Sequence, residues 1–142
     1  MMPGAVLRDE VPLYFRTADI FVVPSVRHES GAVDGLPVVV PEAMAAGLPV
    51  VASDVGGIPV LIKNRKNGIL IRERDTAGIA GALTELLQNP SLRAEYGEKS
   101  RRIIAHSVNY DSIAEYFLTL YREIAQKKTP MGNMPVFRIE GG

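Results

Sequence analysis

Two acids, Asp34 and Glu42, stand eight residues apart in the stretch DGLPVVVPEAMAAGLPVVASDVGG. Glu42 is surrounded by Val, Ala, Met and Leu, poor company for a carboxylate. Burying an ionised carboxylate without a partner is costly, so Glu42 either caps something or faces a cleft and takes a ligand. Eight residues are about two turns of helix, which would set both carboxylates on roughly one helical face. A carboxylate is acceptor-only and can take two hydrogen bonds from a vicinal diol, while the mouth of a helix favours an anion. A ligand with hydroxyls and a phosphate fits that combination, and a sugar nucleotide has both. Gly31 and Gly35 allow close approach of the backbone. Ser25 and Ser53 each follow a strand-forming run and could reach the same ligand. On local chemistry alone, Asp34 as a simple N-cap and Glu42 as a partly exposed surface residue both stay open.

The elements that must position these groups follow from the pattern along the chain. Val11, Tyr14, Phe15 and Ala18 recur at helical spacing behind Asp9 and Glu10, acids that suit a helix start. Ile20 to Val23 is a run of strand formers apolar on both faces, as in a central strand of a parallel sheet, and Pro24 ends it. A polar loop leads to a helix from about Pro37 to Ala46, stopped by Gly47. Pro41 inside a helix would cost about 3 kcal/mol, less if the regular helix begins only near Val40. Pro49 to Ser53 is a second buried strand, and Ile69 to Ile71 a third behind the turn NRKNG; Ile58 to Lys63 is ambiguous.

Beyond the third strand the pattern is helical. Asp75 or Thr76 caps a segment with Ile79, Ala80, Leu83, Leu86 and Leu87 on one face. Asn89-Pro90 breaks it and opens a helix to about Ala105. Ser112 and Glu115 have capping-box spacing before a stripe of Ile113, Phe117, Leu120 and Ile124. Leu83, Leu86, Leu87, Ile113 and Phe117 are the predicted core of this part. Alternation of strand and helix with short buried strands implies α/β architecture with a parallel sheet. Only three strands are evident, where doubly wound sheets commonly have about five or six.

Bulk composition narrows the function classes. Of 142 residues 46% are hydrophobic, which excludes a disordered chain. Sixteen basic residues balance sixteen acidic ones, so no net charge calls for nucleic acid or an anionic membrane. No cysteine is present, which rules out disulfides and thiolate zinc sites and makes a reducing cytoplasm the expectation. The start MMPGAVLRDEV lacks the layout of a signal peptide. Pro37, Pro41, Pro49, Gly47 and Glu42 break up the long apolar run Gly35 to Ala52, so it does not read as a membrane span. His28, in the loop, could touch a phosphate or an acceptor, although exposure to solvent is the plainer reading. His106 reads as a helix-end residue, and Lys63, Arg65 and Lys66 as a solvated turn.

Taken together, ADIFVVPS, the stretch from Asp34 to Gly57, NGILI and LLQNPSLRAEYG resemble the C-terminal domain of GT-B glycosyltransferases of the large retaining group 1 family (family 4). Its hallmark is a pair of acids separated by seven residues, the second followed by Ala-Met-Ala, and Asp34 and Glu42 have that spacing. Glu29 does not, since Pro37 lies eight residues beyond it. The resemblance runs from about Gly4 to Ile124. It implies a Rossmann-like parallel sheet with flanking helices that lacks the first strands of the usual domain. It also implies a donor site for a UDP-, GDP- or ADP-sugar as substrate, with no cofactor and no metal. By position, Glu42 would hold the ribose hydroxyls, and Asp34, as the catalytic position, would lie near the donor sugar and its phosphate. Backbone N–H groups of the run Gly35, Leu36, Pro37 and Val38 would lie nearby, with Ser25 as a further donor-site residue.

The chain departs from the family's pattern in three ways. The glycine-rich loop and the Arg and Lys that hold the diphosphate are not seen, nor is the acceptor-binding domain, and Val60 stands where many members have Glu. Residues 1–128 are thus expected to form a partial nucleotide-sugar-binding domain and 129–142 a loose tail. A sugar or lipid-linked acceptor would meet it through the absent domain, with peripheral membrane contact in a full-length protein. Tyr110, Tyr116 and Tyr121 would partly cover the surface facing that domain. A raw sheet edge would favour homo-oligomers. Two other readings are a non-catalytic assembly module, such as one subunit of a two-chain transferase, and a less favoured sugar-nucleotide epimerase of the same architecture.

Overall fold

Three short strands, β1 (Phe21–Val23), β2 (Val50–Ser53) and β3 (Gly68–Ile71), form a parallel sheet in the order β1-β2-β3. Phe21 pairs with Val50, and Val50 with Gly68, so all three chains exit at the same end. The computed structural model describes residues 4–28, 35–108 and 110–125. Asp34, Glu29 and Gly31 lie outside the described residues, and so does the stretch 129–142 expected to be a tail. A 3-10 turn (Arg8–Glu10) leads into α1 (Val11–Thr17); α2 (Val39–Ala45) joins β1 to β2 and α3 (Ile58–Leu61) joins β2 to β3. The chain ends in α4 (Thr76–Gln88), α5 (Pro90–Ser107) and α6 (Tyr110–Ala125). No helix among the described residues is long and apolar enough to cross a membrane.

The sheet is a wall between two apolar layers. On one face Val50 and Ala52 pack with Val40 and Met44 of α2, Ile58 and Leu61 of α3, Ile62, and Ile103 of α5. On the other, Val51, Ile69 and Ile71 pack with Ala82 and Leu86 of α4 and Tyr96 of α5. The ambiguous stretch after β2 thus proves to be a single turn of helix whose Ile58 and Leu61 are buried. Its exit is locked by Asn67, 1% exposed, whose amide donates to the Leu61 carbonyl (3.0 Å) and accepts from the Lys63 N–H (2.7 Å). Ser100 Oγ of α5 donates to the Asn67 carbonyl (2.9 Å), tying the turn to the last helical layer.

Local chemistry sets the long helices. Asp75 Oδ1 accepts the Gly78 N–H (2.7 Å) and Asn89 Oδ1 accepts the Leu92 N–H (3.0 Å), each satisfying a helix-start donor. Arg93 Nη1 donates to the Leu86 and Leu87 carbonyls, closing the C-terminus of α4. Other expectations need correction. β1 is an edge of this sheet, with Phe21, Val22 and Val23 only half-buried, because it pairs on one side alone among the described residues. Of the predicted helical core, Leu86 is fully buried while Leu87 is 61% and Phe117 45% exposed; Leu83 and Ile113 are intermediate. The stripe periodicity was right but too wide, since only α5 packs appreciably on α6. Ser112 lies within the first turn of α6, which starts at Tyr110, so the expected box does not stand at the cap. Of the three tyrosines placed over a surface, Tyr110 and Tyr121 are exposed and Tyr116 is half-buried.

Backbone contact between α2 and α5 explains one glycine. A Cβ on Gly97 would collide with the carbonyl of Gly47, whose φ of 81° ends α2. Gly97→Ala is therefore expected to destabilise by about 1–3 kcal/mol. Gly81→Ala, where a Cβ meets nothing within 4 Å on α4, should instead stabilise by roughly 0.5–1 kcal/mol through helix propensity. Thermal unfolding followed by circular dichroism would show opposite shifts in Tm.

Candidate functional site

α2 has two faces with different work. Val40, Ala43 and Met44 point into the core and are fully buried, whereas Glu42, Ala45 and Ala46 share the opposite face. The helix starts at Val39, so Pro41 occupies its third position, where the missing N–H is one of the start donors without a partner anyway. The Val40 N–H donates to Pro37 (3.0 Å) and the Glu42 N–H to Val38 (3.3 Å). Gly47 and Leu48 close the other end, their N–H groups donating to Met44 (3.0 Å) and Ala43 (3.1 Å), a Schellman motif.

Glu42 is exposed and lines a groove of about 640 Å³ between α1 and α2. The floor and walls are Val11, Pro12, Phe15, Ala45 and Ala46, and charged groups Arg8, Asp9, Arg16 and Glu42 stand around them. Helix α1 is held in place by Phe15, whose ring meets Phe21 of β1 edge-on at 5.6 Å. The turn before α1 is closed by Glu10 Oε2, which accepts the Leu7 N–H (3.0 Å). None of the four charged side chains has a hydrogen bond or ion pair among the described residues. Elsewhere opposite charges do pair. Arg65 meets Glu85, which holds its guanidinium above the usual range, and Arg101 and Arg102 meet Glu98, which they hold below the usual carboxylate range.

The other predicted residues are distributed differently. Ser25 is half-buried just beyond β1. Gly35 and Val38 are exposed, Pro37 is half-buried, and Leu36 packs its side chain on the core. None of these five lines the groove. The N-cap of α2 is Val38, without a side-chain bond, and Asp34 lies outside the described residues. Val60, where a family Glu was noted, is 55% exposed on α3. Ser53 is 1% exposed at the exit of β2, and its Oγ is the buried side-chain polar atom without a partner among the described residues. The segment after β1 crosses this end of the sheet, the Arg27 N–H donating to Glu73 Oε1 (2.6 Å) beyond β3.

Sequence reasoning missed Arg8, Asp9 and Arg16, reading Asp9 only as a helix-start acid. Nothing periodic links them to a carboxylate some thirty residues on; only the groove between α1 and α2 brings them together. An acceptor-only carboxylate beside an apolar floor and two guanidinium groups is suited to a ligand with a diol, a flat apolar part and anionic or acceptor groups.

Residues 1–103 match the family model described as glycosyl transferases group 1. The amylovoran biosynthesis glycosyltransferase AmsK of Erwinia amylovora is 43% identical over 81 residues, 57% of this chain and 20% of that protein. A GDP-mannose-dependent alpha-(1-6)-phosphatidylinositol monomannoside mannosyltransferase of Mycobacterium tuberculosis is 33% identical over 112 residues, 78% of this chain and 29% of that one. Among solved structures, sucrose-phosphate synthase from Thermosynechococcus elongatus superposes with a TM-score of 0.74 at 27% identity, covering 90% of this chain and 31% of that chain. The chain thus spans less than a third of the length of these relatives, and its three parallel strands with flanking helices match part of their GT-B fold.

The approach to α2 rests on a second backbone contact. The Gly57 N–H donates to the Gly35 carbonyl, and a Cβ on Gly57 would collide with that carbonyl and sit 3.1 Å from Leu36 Cβ. Gly57→Ala is expected to cost about 1–3 kcal/mol and to move the amide resonances of Gly35 and Leu36. Gly35→Ala, with nothing within 4 Å of its Cβ, should stay within about 0.5 kcal/mol. Two-dimensional NMR with urea unfolding separates the two outcomes.

Proposed function

We propose that this chain, which belongs to the group 1 glycosyl transferases, contributes the donor site for a nucleotide sugar, with Glu42 receiving the ribose hydroxyls. One observation carries the reading: Glu42 lines the α1–α2 groove, and its carboxylate has no protein partner among the described residues. Leaving a carboxylate acceptor-only and open to a groove costs nothing in water and supplies two strong acceptors to an incoming diol. On the spacing of the acid pair, Asp34 is the proposed catalytic position, near the donor sugar and its phosphate. Backbone N–H groups of Gly35, Leu36 and Val38, beside Pro37, would serve the same donor, with Ser25 just beyond β1.

The reaction class is transfer of the sugar with retention of anomeric configuration to a sugar or lipid-linked acceptor. Its transition state is oxocarbenium-like, with charge growing on the departing diphosphate. Neutralising that charge takes cationic groups and an acceptor site, and the 142 residues cover under a third of their relatives. They are therefore expected to bind donor without turning it over.

Saturation-transfer NMR with UDP-, GDP- and ADP-sugars tests the donor site. Weak binding is expected, and Glu42→Ala should weaken it about tenfold or more, the loss of two charge-assisted hydrogen bonds. Binding indifferent to Glu42→Ala would remove the reading. Labelled donors incubated with candidate acceptors should give no product; any turnover overturns the expectation of inactivity.

The half-buried β1 edge favours a second reading, an assembly module that pairs this edge with another polypeptide. Light scattering should then give a dimer, and a clean monomer would count against self-pairing.

A further inference from the structure

The ribose is common to every donor nucleotide, so Glu42 does not choose the base; the geometry points to Arg8 and Asp9 as a guanine-selecting pair in the same groove. The inference rests on the nucleoside reading of the Glu42 groove. Arg8 and Asp9 are neighbours on one 3-10 turn, both exposed, both lining the groove, and neither paired with the other nor with any described residue. Oppositely charged neighbours that do not pair leave a donor fork and an acceptor pair available to a ligand in that groove. Val11, Pro12 and Phe15 line that space with apolar surface suited to the face of a base, and the volume of about 640 Å³ is that of a small-ligand site.

Among the common bases only guanine answers both groups at once. Its O6 and N7 acceptors match a guanidinium bidentately, and its N1–H and 2-amino group are two parallel donors for a carboxylate. Uracil offers a single N–H flanked by two carbonyls, which would repel the second carboxylate oxygen. Adenine presents ring acceptors beside its amino group, so Asp9 would face lone pairs. The site therefore takes a guanosine diphosphate sugar, with Asp9 reading the 2-amino group and Arg8 contacting the O6–N7 acceptor pair that guanine and hypoxanthine share and adenine lacks.

The test is equilibrium binding of GDP, IDP, UDP and ADP to the 142-residue chain, IDP differing from GDP only by the missing 2-amino group. GDP should bind about tenfold tighter than each of the others, the discrimination of one bidentate pair. Asp9→Ala should bring the GDP-to-IDP ratio to about one, whereas Arg8→Ala should weaken both and keep their ratio. UDP or ADP binding as tightly as GDP, with dependence on Glu42 intact, overturns the guanine assignment and leaves the donor site standing. Equal GDP and IDP affinities in the unsubstituted chain overturn it without any variant. Nucleotide binding that is absent, or unchanged by Glu42→Ala, overturns both readings.

Discussion

Everything else in this structure depends on the burial of β2 from both sides. Val50, Val51, Ala52 and Ser53 are all buried, which requires an apolar layer on each face of the sheet. Helices α2 and α3 supply one layer, joined by Ile103 of α5, and α4 supplies the other, joined by Tyr96 of α5. A parallel pair needs a crossover that returns the chain to the same starting end, so the connection through α2 lies across a face, at the mouth of the sheet. That is what brings the sequence before α2 to the exit ends of the strands, where α/β sheets bind ligands.

Helix α2 is only seven residues long, too short to be stable by itself. It is fixed by its buried side chains and by close backbone contact at both ends. Gly35, leading into it, accepts from Gly57, and Gly47, leading out, touches Gly97 of α5. Two glycine pairs, one at each end, set the depth and direction of the helix and hence the position of Glu42. A side chain at either outer glycine would push the helix away from the wall that the groove needs.

Charge is used differently in the groove and outside it. The pairs Lys99–Glu95, Arg101–Glu98 and Arg65–Glu85 lie on exposed surface, where each contributes little to stability. Around Glu42 two cations and two anions share one rim without pairing among the described residues. Such an arrangement leaves donors and acceptors open to a polar ligand.

The amino-acid order by itself determined the strands and the long helices. Runs of Val and Ile, the caps Asp75 and Asn89, and Pro90 are local signals whose physics needs no distant partner. The acid spacing with Ala-Met-Ala likewise pointed to the family that residues 1–103 match. Tertiary structure alone decided which apolar faces are covered. Leu87 and Phe117 obey helical periodicity yet stay exposed, and β1 has central-strand composition yet stands at an edge, because burial depends on a neighbour that sequence pattern does not name. It also decided that Glu42 meets Arg8, Asp9 and Arg16. Those residues line one groove between α1 and α2, and Phe15, packed on Phe21 of β1, helps to hold α1 there, a contact between side chains that no periodicity connects.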